Sequence, residues 1–130
     1  MKILMDTHIL IWHGLGILPL AAQEYIRDET NVPLFSPASI WEIVIKRGFN
    51  RPDFSVDPYA LRSGLIDDGF DELPITARHA LGICALPDIH KDPFDRILLA
   101  QTISEEILFL TFDAMLAKYG VPVILIQSVK

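Results

Sequence analysis

Two stretches of this chain repeat one arrangement, and together they restrict its fold more than any other feature. Lys2–Met5 is a short apolar run that stops at an acid, Asp6, and passes directly into the apolar helical stretch Ile9–Trp12. Ile107–Thr111 behaves alike: an apolar run, a short polar turn, an acid at Asp113, then helical sequence. Apolar runs of this length, without polar alternation, read as strands buried on both faces of a parallel sheet. Each acid then stands at the C-terminal end of its strand, the edge where open α/β sheets bind ligands. For Asp6 a second reading stays open, because Asp is a preferred N-cap and its carboxylate can serve the following helix.

The sequence between these runs alternates helical and extended signals. Leu18–Thr30 reads as a surface helix, with Leu20, Ala21, Tyr25 and Ile26 on one face and Gln23, Glu24, Arg27 and Asp28 on the other. Val32–Pro37 gives a second strand. Ser36 followed by Pro37 starts a helix, a hydroxyl cap with proline at the first helical position, and Gly48 ends it. Asn50–Pro58 is a loop, Asp57 with Pro58 starts a helix running to about Asp68, and Asp71–Ile75 is a short strand. Thr76 caps a short helix that ends before Pro87, and Val121–Gln127 supplies the last strand. The alternation predicts an α/β fold, a three-layer α/β/α sandwich around a central parallel sheet of four to five strands. No repeat or linker-like composition divides residues 1–130, so they read as a single domain.

Two further helices carry acids that need an explanation. Glu42 is the only acid in Pro37–Gly48, a helix apolar nearly all round (Ile40, Trp41, Ile43, Val44, Ile45) and therefore expected to be largely buried. Acids are seldom buried unless paired or metal-bound. The plain alternative is an exposed ion pair with Lys46, four residues on in the favourable order. In His90–Thr102, Asp92 before Pro93 is a cap-plus-proline start, and Asp95 occupies the capping-box position. A cap turns its carboxylate onto its own helix, so Asp92 is assigned a structural role. Asp95 lies in the first turn and is free to face the sheet edge, or simply to complement the helix dipole on a wet surface.

Asp6 and Asp113 beyond strand ends and Asp95 in a first helical turn would converge on one rim, and Glu42 can join them if the second strand neighbours the first. Two carboxylates about 5 Å apart repel by about 3 kcal/mol at an effective dielectric near ~20. Four of them require protons or divalent cations. Oxygen donors without cysteine or a histidine cluster select hard ions, Mg²⁺ or Mn²⁺. The chemistry that matches is phosphodiester hydrolysis by metal-activated water. A net charge of −6, from 17 acids against 11 Lys and Arg, disfavours passive nucleic-acid binding, but holding four acids on cations leaves 13 against 11. The single cysteine, Cys84, excludes an internal disulfide and a zinc cluster and reads as a small core residue. With neither a signal-peptide pattern nor a run long enough to span a membrane, the expected location is the cytoplasm.

The segments "LMDTHILIW", "SIWEIVIKRG", "LPITARHALGICALPDIHKDPFDRILLAQ" and "LTFDAMLAKYGV", in this order and spacing, resemble the PIN-domain ribonucleases, and among them the VapC-type toxins of toxin–antitoxin pairs. The resemblance covers essentially the whole chain. It implies an α/β/α fold and an acidic cluster, carried over here to Asp6, Glu42, Asp95 and Asp113, that binds Mg²⁺ or Mn²⁺ and cleaves RNA. It also implies inhibition by a small antitoxin whose tail occupies the site, and usually a homodimer. Of the two acids in "DPFDR", Asp95 aligns because the D-x-x-L-x-A pattern follows it. Two other readings remain open. One is a PIN-like module that binds a partner without catalysis. The other is a different metal phosphohydrolase with a strand-end Asp nucleophile, which would want an acid two residues on, where this chain has His8. Lys46, Arg47, Lys91 and Arg96 are candidates for phosphate contact. Trp12, Trp41, Phe49 and Phe54 are large apolar side chains near helix ends and a loop; most are expected in the core, and the resemblance implies in addition an exposed apolar groove that binds a partner helix.

Overall fold

The computed structural model describes residues 1–120 and 122–127. Its centre is the first apolar run, which forms strand β1 (Lys2–Met5). Side chains alternate between the faces of a strand. Accordingly Ile3 and Met5 enter one hydrophobic cluster, with Ile9, Leu10, Phe35 and Leu110, while Leu4 enters another with Leu34, Leu98 and Phe109. Strand β2 (Val32–Phe35) lies on one side of β1 and strand β4 (Leu108–Thr111) on the other, both parallel to it, with Leu4 opposite Leu34 and Phe109. Strands β3 (Asp71–Glu72) and β5 (Val123–Leu125) complete a five-stranded, all-parallel sheet in the order β3-β2-β1-β4-β5. Of the expected last strand, Val121 lies outside the described residues.

The two clusters are the two faces of an α/β/α sandwich. One face is covered by α1 (Thr7–Leu15), α2 (Leu20–Arg27) and α4 (Pro58–Asp67), with Phe54 from a 3-10 turn at Pro52–Phe54. The other is covered by α6 (Pro93–Glu105) and α7 (Ala114–Ala117), with α5 (Ala77–Gly82) packed on α6. Helix α3 (Pro37–Gly48) serves both faces, sending Ala38 into one cluster and Ile43 into the other. The caps read from sequence operate as expected. Ser36 Oγ accepts the Ala38 amide, Asp57 Oδ1 the Tyr59 amide and Thr76 Oγ1 the His79 amide.

Several expectations are corrected. The third strand stops at Glu72 rather than Ile75: Leu73 still donates to the Phe35 carbonyl, but Pro74 has no N–H with which to continue the ladder. Helix α3 is not buried all round. Trp41 is 61% exposed and Val44 is exposed as well, because only the Ala38, Ser39, Glu42 and Ile43 side faces the sheet. In α2 the buried residue is Ala22, while Leu20 and Ala21 face outward. Cys84 is exposed, lying in a 3-10 turn, Ile83–Ala85, that follows α5 outside both clusters. Of the four large apolar residues, Phe54 is core and Trp12 half-buried, whereas Trp41 and Phe49 face solvent. Among the described residues no single helix is long and apolar enough to cross a membrane.

Candidate active site

The parallel strands all deliver their C-terminal ends to one edge, and the acids collect there. Asp6 follows β1 directly. Its Oδ1 accepts the Thr7 amide (2.8 Å), so it does cap α1, while its Oδ2 accepts the hydroxyl of Thr111, the last residue of β4 (2.6 Å). One carboxylate therefore ties the two central strands together at their ends. It is 8% exposed. Burial pushes its pKa up to about 6; hydrogen bonds from Thr111 and the Thr7 amide oppose the rise, and the charge of Glu42 adds to it.

Glu42 is 4% exposed and spends both oxygens. Its Oε1 accepts the Thr7 hydroxyl (2.6 Å), which also lies 2.9 Å from Ser39 Oγ, and its Oε2 accepts Lys46 Nζ (2.6 Å). The Glu42–Lys46 pair expected on a wet surface exists, but it points inward. Burial works against the ammonium charge of Lys46. The hydrogen bond and charge of Glu42, with Asp92 3.5 Å away, overcome that and raise its pKa.

Asp92 caps α6, its Oδ1 accepting the amides of Phe94 (2.8 Å) and Asp95 (3.2 Å). Asp95 does not reach back to close a capping box. Its Oδ2 turns instead toward His90 Nε2, 3.3 Å away, and the carboxylate is largely buried. Asp95 carries the strongest perturbation in the molecule: burial, then the charges of Asp6, Asp92, Glu42 and Asp113, push its pKa up to about 9. Asp113 divides its carboxylate, Oδ1 capping α7 through the Met115 amide and Oδ2 lying 3.3 Å from the same His90 nitrogen. The structure thus gathers Asp6, Glu42, Asp95 and Asp113 at one rim, with Asp92 beside them as a cap.

His90, Thr7, Ser39 and Thr111 were not singled out in the sequence. The hydroxyls become visible only when strand ends and helix starts are brought together. His90 Nδ1 accepts the Asp92 amide (3.1 Å), which places the ring proton on Nε2, facing Asp95 and Asp113. Donor atoms of His90, Asp95 and Asp113 lie within 4.8 Å of one another. In this tautomer, however, Nε2 donates to Asp113, with Asp95 Oδ2 3.3 Å away, and offers no lone pair to an ion. The ligands available to a cation are therefore carboxylate oxygens, a hard donor set that fits Mg²⁺ or Mn²⁺. Arg96, considered for phosphate contact, is committed to the backbone carbonyls of Ile83, Pro87 and His90, where it braces the approach to α6.

The comparisons agree with this geometry. The PIN domain family matches residues 3–122. Among solved structures, VapBC2 from Rickettsia felis, crystallised with a promoter DNA fragment, is similar with a TM-score of 0.68 at 10% identity, over 92% of this chain and 94% of that one. A toxin–antitoxin complex from Klebsiella pneumoniae gives 0.63 at 21% identity, over 93% and 94%. A domain of a functionally unknown protein from Methanocaldococcus jannaschii gives 0.65 at 13% identity, over 99% and 93%. At these identities the likeness is one of fold. No protein with a curated description matches. With the match running from β1 to the residue before β5, and the sheet closed as an all-parallel α/β/α sandwich, the chain belongs to the PIN domain family.

Proposed function

We propose that this protein is a metal-dependent endoribonuclease, the toxin of a toxin–antitoxin pair, with Asp6, Glu42, Asp95 and Asp113 as its catalytic and metal-binding acids. The observation that carries the reading is the placement of Asp95: a largely buried carboxyl gathered with Asp6, Asp92, Glu42 and Asp113, whose charges together with burial push its pKa up to about 9. Such a cluster has a standing demand for positive charge, and its all-oxygen donors suit Mg²⁺ or Mn²⁺. When bound, an ion of this class polarises water for attack on phosphorus and offsets charge on the departing oxygen.

The chain's own groups set the stage for that chemistry. Thr111 and the Thr7 amide hold Asp6 in one orientation, and Thr7 and Lys46 do the same for Glu42. The Nε2 proton of His90 spans Asp95 and Asp113 and keeps those carboxylates aimed into the rim. Burial of Asp6 and Glu42 lowers the local dielectric, so charge interactions with a phosphodiester act at greater strength than in water.

Two of the similar structures are toxin–antitoxin complexes, which supports an antitoxin as partner. A groove of about 690 Å³ between α3 and α4, lined by Ile40, Val44, Arg47, Tyr59 and Arg62, offers an apolar floor of the kind an amphipathic helix fills. A homodimer belongs to the same reading. The test is cleavage of single-stranded and structured RNAs by the purified protein with Mg²⁺ or Mn²⁺, with chelator, and with Asp6→Asn. Chelator and Asp6→Asn should each abolish cutting while the melting transition persists. Undiminished cleavage by folded Asp6→Asn would overturn the assignment.

A further inference from the structure

Two aromatic side chains border the carboxylate rim, and the packing of the core explains neither. Trp41 immediately precedes Glu42 on α3, yet its indole is 61% exposed. Phe94 immediately precedes Asp95 on α6 and is half-buried. The rings meet edge to face, 5.1 Å between centroids at 78°. This is a favoured arrangement of an aromatic pair. Lys46 Nζ lies 5.7 Å from the Phe94 ring centroid while it bridges Glu42 and Asp92.

The result is an aromatic pair with a cation at its Phe94 edge, and that cation bridges it to Glu42 and Asp92 at the acidic rim. An indole left open to water is poorly placed for folding, since a helix that packs on the sheet could have carried a polar residue there. A rigid aromatic face beside a phosphate-handling site is what an unpaired base recognises, because every base has a π-face. Cations and aromatics alternating along a strand's path are the general pattern of single-strand binding. Phe94 and Lys46, not sequence adjacency, connect the platform to Glu42 and Asp92, and both stand on helices rather than on a loop.

We propose that Trp41, braced by Phe94, is the platform on which an unpaired base of the substrate stacks when the neighbouring phosphate enters the acidic crevice. This rests on the ribonuclease reading above, and it adds a demand for local single-strandedness at the cleavage point. Trp41 would act as a positioning residue that contacts substrate without touching the reacting atoms.

The experiment uses a Trp12→Phe background, in which Trp41 is the one remaining tryptophan of the two. Short unstructured oligoribonucleotides are titrated in the presence of Mn²⁺, with Asp6→Asn added to prevent turnover. Stacking should quench Trp41 emission. An oligonucleotide carrying an abasic residue should quench less. In cleavage assays on otherwise wild-type protein, Trp41→Ala should raise KM about tenfold or more with a much smaller change in kcat, and Trp41→Phe should recover most of the loss. Phe49→Ala, which removes a still more exposed ring just past the C-terminal end of α3, serves as control and should leave KM unchanged. Normal cleavage by Trp41→Ala with no quenching in the titration overturns the platform while leaving the ribonuclease reading intact. Trp41→Ala that cleaves normally but sediments at half the wild-type mass, or no longer binds its antitoxin, shows that a protein covers the ring and overturns the proposal. Quenching without any cleavage by wild type would break the ribonuclease reading and leave a single-strand binding surface.

Discussion

Asp92 and Asp95 stand three residues apart and are assigned opposite work. In the unfolded chain Asp95 ionises near 3.8, and in the folded protein it keeps its proton to about 9. Between those pH values the folded state binds more protons than the unfolded one. Chelated protein should therefore lose stability as pH rises through that window. Asp6 contributes in the same direction between 3.8 and about 6. A cation should restore what is lost, since it binds the folded state only. Asp95→Asn keeps a neutral side chain throughout, so thermal melts in chelator should show a flatter pH profile and a higher midpoint than wild type at pH ~8, with a smaller gain from Mg²⁺. Asp92→Ala should instead cost about 1 kcal/mol with or without metal, because it removes the cap of α6. Loss of the Mg²⁺ response in Asp92→Asn, with Asp95→Asn unaffected, would show the two assignments to be reversed.

Helix α3 carries the most chemistry of any element. Ser36 and Pro37 fix its start, and Glu42 and Lys46 face each other one turn apart. Lys46→Ala would leave a buried carboxylate with one partner missing. In chelator it should destabilise the fold by about 1–3 kcal/mol, and the deficit should shrink when Mn²⁺ is added. An unchanged melt in chelator would show that the Glu42–Lys46 pair contributes nothing net to the fold. Local signals made most elements legible: apolar runs for β1, β2 and β4, and cap-plus-proline pairs at Ser36, Asp57 and Asp92. The acids of the rim were legible too, because strand ends and helix starts are short-range features. What local sequence could not show was which side of a helix meets the sheet. Trp41, Val44 and Cys84 are apolar in a scale yet exposed in the fold, because facing is decided by the packing of distant elements. His90 was hidden for a related reason. Its meaning comes from Asp113, 23 residues on, and from a backbone amide that selects its tautomer.

At the scale of the molecule, exposed apolar surface and negative charge have to be reconciled. Trp41, Val44, Phe49, Tyr59 and Leu81 all face solvent on a chain of net charge −6. Charge keeps such a protein dispersed, while apolar patches seek partners. The molecule should sediment as a dimer at tens of micromolar protein (~10–100 μM, the ordinary range for association measurements). A monomer across that range would remove the homodimer from the proposed function.

The hydrogen bond between Thr111 and Asp6 joins residues 105 positions apart, and it closes the centre of the sheet. Strand β1 is made first and meets its β4 neighbour only after most of the chain exists. At about 5–20 residues per second of synthesis, several seconds separate the two halves of the rim. During that interval the nascent chain holds Asp6 without Asp95 or Asp113. Under the proposed function, a chain that stops before Asp113 lacks part of the acid set and should not cut RNA, which a cleavage assay on a chain truncated before β4 would check. Under the same proposal, an antitoxin would have that interval in which to be at hand before the last acid joins the rim.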